Sequence, residues 1–353
     1  MPRLSDTIAR LAATRGPGPG AAQPSRLIEW AGFGANRGAL RAYRYRPEGL
    51  KPGAPLVVVL HGCTQSAAAY DLGSGWSRLA DRHGFALLFP EQQRSNNANL
   101  CFNWFEPGDI CRDAGEASSI AEMIAGTLTG YGLDRRRVFV TGLSAGGAMA
   151  AVMLATYPEL FAGGAVIAGL PYGSASTVPE ALERMRGQGL PGEDALLRAV
   201  RAASPHGGPW PRLSVWHGQQ DHVVVPAAGE AVLSQWRGLH GLAEGPSEIL
   251  SIGPHRRRVW RDGGGVARIE AFALAGMGHG TPIDAGDGIG VPGLHMLQAG
   301  ISSTCHIAAF WGIGDPVSGT ATRPGPERSA AGEAAAGPGR IIEQALRAAG
   351  LMR

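Results

Sequence analysis

Ser144 stands in the run Gly142-Leu143-Ser144-Ala145-Gly146, a G-x-S-x-G spacing, where the β-branched stretch VFVTG gives way to the alanine-rich AGGAMAAVML. A serine on a sharp strand-to-helix turn presents its hydroxyl above the carboxyl ends of the strands, and glycines around it permit the strained backbone and close packing. The helix start adds N–H donors and a partial positive charge for an anion forming there. Such a hydroxyl becomes a nucleophile once a base and an orienting acid are supplied, and in this architecture the acid and then the histidine follow the serine along the chain. Asp221 lies four residues past His217, which closes the strand-like LSVWHG, and His279 sits in the glycine-flanked loop GMGHGTP after the last strand-like run. Ser144, Asp221 and His279 are therefore expected to act as nucleophile, orienting acid and general base, the chemistry of acyl transfer. His217 and His222 lie too close to the acid to be its partner, and His206, His240, His255, His295 and His306 have no strand-end context. Asp262 and Asp284 are weaker acids by the same criterion.

A tetrahedral oxyanion needs two N–H donors. One is expected from Ala145, directly after the nucleophile, and the other from Cys63, in the loop VVVLHGCTQ after an early strand. These donors are backbone groups, so the Cys63 thiol has no chemical part. Trp104 in CFNWF has an indole that either lies on substrate in the cleft or packs in the core. No H-E-x-x-H metal spacing occurs, no G-x-G-x-x-G opens a βαβ unit, and neither metal nor organic cofactor is expected.

These side chains must be positioned by a sheet. PLVVVLHG, FALLFP, RVFVTG, FAGGAVIAG, RLSVWHG and VARIEAFAL read as strands, while WSRLADRHG, GEASSIAEMIAGTLTGYG, AGGAMAAVMLATYP and AAGEAVLSQWRGLHG read as helices, with Gly132 stopping the second. RLIEWAGF and LRAYRYRP form an earlier strand pair joined by GANRG. Strands alternating with helices imply an α/β class with a mostly parallel central sheet and helices on both faces. Residues 171–210 interrupt the alternation with two helical stretches and read as a small cap. Residues 1–24 read as a helix over 4–14 followed by a linker, 25–312 as the catalytic domain, and 313–353 as a low-complexity linker ending in an amphipathic helix. That last helix is expected to dock on the domain, to mediate self-association or to contact an apolar particle, unless it is a frayed tail.

The chain has 353 residues, 44% of them hydrophobic and 17% charged, with 54 glycines and a net charge of +3. That balance suits a large-cored enzyme and gives no reason to expect a nucleic-acid partner. The Arg135-to-Arg137 and Arg256-to-Arg258 triplets are expected as solvated faces or loop ends, with an anionic partner as the alternative. No run of about 18 apolar residues marks a membrane span. The opening MPRLSDTIARLAATRGPGPG lacks the apolar run of a secretory signal, which points to a cytoplasmic setting; a secreted chain already trimmed of its signal would read the same way. Cys101 and Cys111 either bridge across CFNWFEPGDIC or remain reduced.

The segments LHGCTQSAAAYDLGSGWSRLADRHGFALLFPEQQ, CFNWF, RDAGEASSI, VTGLSAGGAMA, WHGQQDHVVVP and GMGHGTP resemble the polyhydroxybutyrate depolymerase-type esterases, relatives of feruloyl and acetylxylan esterases. The resemblance covers roughly residues 38–312 and implies an α/β-hydrolase fold. It implies Ser144, Asp221 and His279 as the triad and Cys63 and Ala145 as the oxyanion hole. Asn103 and Trp104, in NWF, resemble the segment that brings aromatic surface to the cleft. A polyester or oligoester of the hydroxyalkanoate type is the implied substrate. Feruloyl or acetylxylan esters are the alternative, and an acyltransferase or a non-catalytic binding module are the readings from other classes. Secreted polymer-degrading members carry a serine/threonine-rich linker and a polymer-binding β domain, where this chain has a short alanine-rich tail.

Overall fold

The computed structural model describes residues 25–316. The expected helix over 4–14, the low-complexity linker and the C-terminal amphipathic helix lie outside the described residues. Twelve strands and eight α-helices are described, and ten of the strands form one sheet in the order β1-β2-β4-β3-β5-β6-β7-β10-β9-β8.

The centre of that sheet is parallel: β4 (Ala86–Glu91), β3 (Leu56–Leu60), β5 (Val138–Leu143), β6 (Gly163–Ile167), β7 (Arg212–Gly218) and β10 (Ala267–Leu274). β1 (Ile28–Trp30) and β2 (Arg41–Tyr45) add antiparallel at one side, β9 (His255–Arg261) and β8 (Glu248–Ile252) at the other. β3 shows why its run LVVVL has no polar residue. Leu56, Val58 and Leu60 join one core with Ile120 and Ile124 of α3 (Gly115–Tyr131) and with α4 (Ala145–Thr156). Val57 and Val59 point the other way, into a core with Tyr70 of α1 (Ala67–Ser74), Leu79 of α2 (Trp76–His83) and Trp311 of α8 (Ser303–Trp311). A strand covered on both faces must be apolar at both phases of its two-residue period. Each such side chain contributes about 1.5–3 kcal/mol by burial.

α4 is buried along its whole length, so it carries no polar stripe. α3 ends at Gly132 in the left-handed region, as its sequence requires. The insertion at 171–210 folds into α5 (Val178–Met185) and α6 (Glu193–Ala203). Val200 of α6 is buried in the first core, Leu196 is buried as well, and Gln235 of α7 (Pro226–His240) donates to the carbonyls of Tyr172 and Leu196. Its α5 end is fastened to the loop after β7, where Val225 N donates to Met185 O at 2.9 Å.

The hairpin β8–β9 corrects the reading of the second arginine triplet as a solvated face or loop end. Arg256, Arg257 and Arg258 all lie within β9. Arg257 makes a two-pronged bond to buried Glu270, and Arg258 pairs with Glu230. Two short parallel strands, β11 (Thr281–Ile283) and β12 (Met296–Gln298), lie after the loop that carries His279. No helix among the described residues is long and apolar enough to cross a membrane.

Candidate active site

Ser144 follows β5 and starts α4, with φ 57° and ψ −118°, a left-handed backbone that a non-glycine residue adopts only when its surroundings impose it. The imposing contacts are visible. Ser144 N donates to Ile167 O of β6 at 2.8 Å, and Ala148 N donates to Ser144 O at 2.9 Å. A Cβ on Gly146 would come within 2.3 Å of Leu60 O and 2.4 Å of His61 O; one on Gly142 would meet Gly146 O at 2.3 Å. The two glycines thus let α4 start directly against β3 and β5, and the turn between them holds the serine up. Ser144 is 8% exposed.

Asp221 and His279 sit on the loops after β7 and β10, two strands that pair in parallel, so both loops leave the same end of the sheet as Ser144. Gln219 N donates to Leu274 O, and Gln220 N donates to Met277 O. A Cβ on Gly218 would meet Met277 O at 2.4 Å and Gly278 O at 2.5 Å, so only glycine admits the histidine loop so close. Asp221 is buried. Its Oδ1 accepts from Val223 N and Val224 N, both at 2.9 Å, and its Oδ2 lies 2.7 Å from His279 Nδ1. Burial opposes ionisation of this carboxyl, but the bond to His279, that ring's charge and the two amides outweigh it and hold the group below its ordinary pKa. The bond assigns the tautomer: Nδ1–H faces the carboxylate and the lone pair is left on Nε2. The ring also stacks edge-on against His295, whose Nδ1 lies 3.3 Å from His279 O. Ser144 Oγ makes no hydrogen bond among the described residues, so the acid–base arm is assembled while the serine–imidazole contact is open. Such contacts tighten when substrate is bound.

The loop after β3 carries His61, Gly62 and Cys63. Gly62 N donates to Gln65 Oε1, and Thr64 N donates to Asn99 O at 2.7 Å. Ala145 opens α4, where an amide has no intrahelical acceptor. Among the described residues neither the Cys63 nor the Ala145 amide donates to the backbone.

Two expectations change here. Cys101 is bonded to Cys63, not to Cys111, with Cα atoms 4.2 Å apart; Cys111 and Cys305 are free. The disulfide therefore staples the loop after β3 to residues 99–101. Trp104 is 6% exposed, packed in the first core and edge-on to Phe105. The core alternative, not an indole laid out for substrate, is what the fold presents. Asn103 is committed as well: its Nδ2 donates to Asp109, its Oδ1 accepts from Asn97, and its N donates to Glu116.

A buried polar network behind this loop escaped the sequence reading. His61 Nε2 accepts from Gln92 N, and Gln92 Nε2 donates to both Cys101 O and Glu116 Oε1. Burial pushes His61 down to about 4 and Glu116, with Asp109 nearby, up to about 8. The only trace in the sequence is polar residues, His61 and Gln92, directly after two apolar strands.

The model of the family described as "Esterase PHB depolymerase" matches residues 41–257. A "Poly(3-hydroxyalkanoate) depolymerase C" of Paucimonas lemoignei is 42% identical over 295 residues, 81% of this chain and 70% of the relative. A "Feruloyl esterase B" of Talaromyces stipitatus is 32% identical over 267 residues, 73% of each chain. Among solved structures, an acetyl xylan esterase from Aspergillus awamori superposes with a TM-score of 0.70 at 24% identity, covering 81% of this chain and 99% of the other; this likeness speaks for the fold.

Proposed function

The chain belongs to the esterase PHB depolymerase family, and from that premise we propose that it hydrolyses polyhydroxyalkanoate-type esters through an acyl-enzyme on Ser144. The observation that carries the mechanism is the 2.7 Å bond from His279 Nδ1 to an Asp221 carboxylate whose other oxygen is pinned by two amides. With Nδ1 so engaged, His279 Nε2 takes the Ser144 proton as Oγ attacks the ester carbonyl carbon. Asp221 stabilises the imidazolium without itself taking the proton. The oxyanion is received by the Ala145 and Cys63 amides. His279 then protonates the leaving alcohol, the acyl group stays on Oγ, and a water activated by the same imidazole releases the acid.

The substrate class rests on the 42% identical depolymerase and on apolar surface beside the triad. Val223, next to the acid loop, is 48% exposed, and Leu294, beside the histidine that stacks on His279, is 78% exposed. An aliphatic polyester or oligoester suits such a rim better than a hydrated sugar does. The Cys63–Cys101 disulfide supports an oxidising working compartment, and so a secreted enzyme.

The test is a panel: 3-hydroxybutyrate oligomers, p-nitrophenyl esters of rising acyl length, methyl ferulate and acetylated xylan, each with and without an added alcohol acceptor. Hydroxybutyrate oligomers should give the highest kcat/KM, with free acid as the product. Faster turnover of methyl ferulate or acetylated xylan, the direction of the 32% identical feruloyl esterase, would replace the substrate reading. Dominant transfer to the alcohol would replace hydrolysis. Ser144→Ala should abolish activity on all of them.

A further inference from the structure

Behind the acid lies a second imidazole that the proton relay does not use. His217 is the next-to-last residue of β7 and is 7% exposed. Its Nε2 is 2.8 Å from Val224 O and 3.6 Å from Asp221 Oδ2. Its buried Nδ1 has no hydrogen-bond partner among the described residues. Both neighbours of Nε2 are acceptors, so the tautomer that fits carries its proton there. Burial is the largest influence on this ring and holds it below the ordinary histidine pKa; the charged groups around it are Asp221, His279 and Glu230, with Arg258 lining the same cavity. Gly229 of α7 makes the room: a Cβ there would come 2.6 Å from His217 Nδ1.

The geometry gives this ring a task. Asp221 Oδ1 is fixed by the Val223 and Val224 amides, but Oδ2, the oxygen that serves His279, has no amide of its own. On the side away from His279, the ring of His217 stands next to Oδ2, with its Nε2 3.6 Å away. We propose that His217 is a positioning residue for the acid: its Nε2–H donates to Val224 O, which holds the far end of the 221–224 turn, while the ring stands 3.6 Å from Asp221 Oδ2 and walls that oxygen in, so that the turn is clamped with Oδ2 aimed at His279. An uncharged ring does this without competing for the carboxylate's charge, which stays available to the imidazolium that forms on His279 during turnover. The inference rests on the triad reading above.

The experiment uses the full chain. Labelling of Ser144 in the unaltered enzyme by a fluorophosphonate, absent in Ser144→Ala, first secures the triad; if that fails, the triad reading fails, and not merely the role of His217. His217→Leu, which frees Val224 O and loosens the 221–224 turn, should then lower kcat by about 10-fold, the worth of one buried hydrogen bond, with KM within about twofold. His217→Gln, whose amide can donate to Val224 O and has the cavity of about 50 Å³ beside it, should recover most of that loss. The two variants are compared at matched thermal stability, since a merely structural residue would lower both equally and leave no difference in kcat. Independently of any variant, nitrogen-15 NMR of the unaltered enzyme between pH 6 and pH 9 should show His217 with the proton on Nε2 and a bare Nδ1. Near-normal kcat in His217→Leu, equal impairment of the Leu and Gln variants, or a doubly protonated or Nδ1-protonated His217 would each overturn the proposal.

Discussion

Asp221→Asn tests the relay at its most informative point, because the substitution keeps shape and reverses one hydrogen bond. In the native chain Asp221 accepts three times: from Val223 N, Val224 N and His279 Nδ1. An asparagine can leave its carbonyl oxygen with the two amides, which places its NH₂ against His279 Nδ1. Two donors then face each other. The ring escapes by moving its proton to Nε2, and an Nε2 that already holds a proton cannot take one from Ser144. The corresponding change in the serine-protease triad costs about 10⁴ in kcat, equivalent to about 5.4 kcal/mol, and the same loss is expected here. KM should hold within about threefold, since no group that contacts the ester is altered. The stability effect has its own sign. The Asp221 carboxyl is held below its unfolded value, so it contributes stability above about pH 3.9 and loses it as pH falls through the folded pKa. The variant should therefore be less stable than the native chain near neutrality, and the gap should close in acid. Steady-state hydrolysis of p-nitrophenyl butyrate gives kcat and KM, and urea melts at pH 3 and pH 7 give the second effect. A kcat within tenfold of native, in a folded variant, would refute the assigned tautomer and with it the role of Asp221.

Three further outcomes follow from the same geometry. Gly146→Ala places a methyl 2.3 Å from Leu60 O and 2.4 Å from His61 O, both backbone atoms; it should cost more than about 2 kcal/mol in denaturant melts and abolish turnover, and a native melt would show that α4 can shift away. Removing the disulfide with Cys63→Ser and Cys101→Ser opens a link spanning 38 residues, worth about 4 kcal/mol on loop entropy; kcat should fall further than KM rises if the loosened loop carries the proposed oxyanion donor, and an unchanged kcat would detach the staple from catalysis. Glu116, pushed up to about 8 from 4.5 by burial and by Asp109, binds protons more tightly folded than unfolded; its contribution is fully present below pH 4.5 and is lost as pH rises through about 8, so stability should decline across that window and Glu116→Gln should flatten the decline, visible in melts at half-unit pH steps.

The residues that were legible and those that were not differ in one physical respect. Ser144, Asp221 and His279 follow apolar strand runs, and a strand's end can be read from local composition; once the parallel order is inferred, three such ends must lie on one edge of the sheet. The glycines at 142 and 146 were legible for the same reason, since a strained turn announces itself by residues without a Cβ. The hairpin β8–β9 was not, because the arginines of β9 break the apolar pattern and find their partners, Glu270 and Glu230, in other elements. Cysteine pairing is still less local. CFNWFEPGDIC brings Cys101 and Cys111 near each other along the chain, yet the loop ending at Cys101 folds back on the end of β3, and Thr64 N bonding Asn99 O sets Cys63 beside it. Trp104 follows the same logic: whether an indole faces substrate or core is decided by what the rest of the chain packs around it, and no spacing within NWF records that. His217 is the sharpest case. Proximity to Asp221 in sequence argued against it as the base, but that proximity is also what lets one turn, 221–224, bring Val224 O to 2.8 Å and Asp221 Oδ2 to 3.6 Å from the same ring nitrogen. Local sequence therefore tells which side chains reach the sheet edge, while the return of the chain upon itself decides which of them hold the others in place.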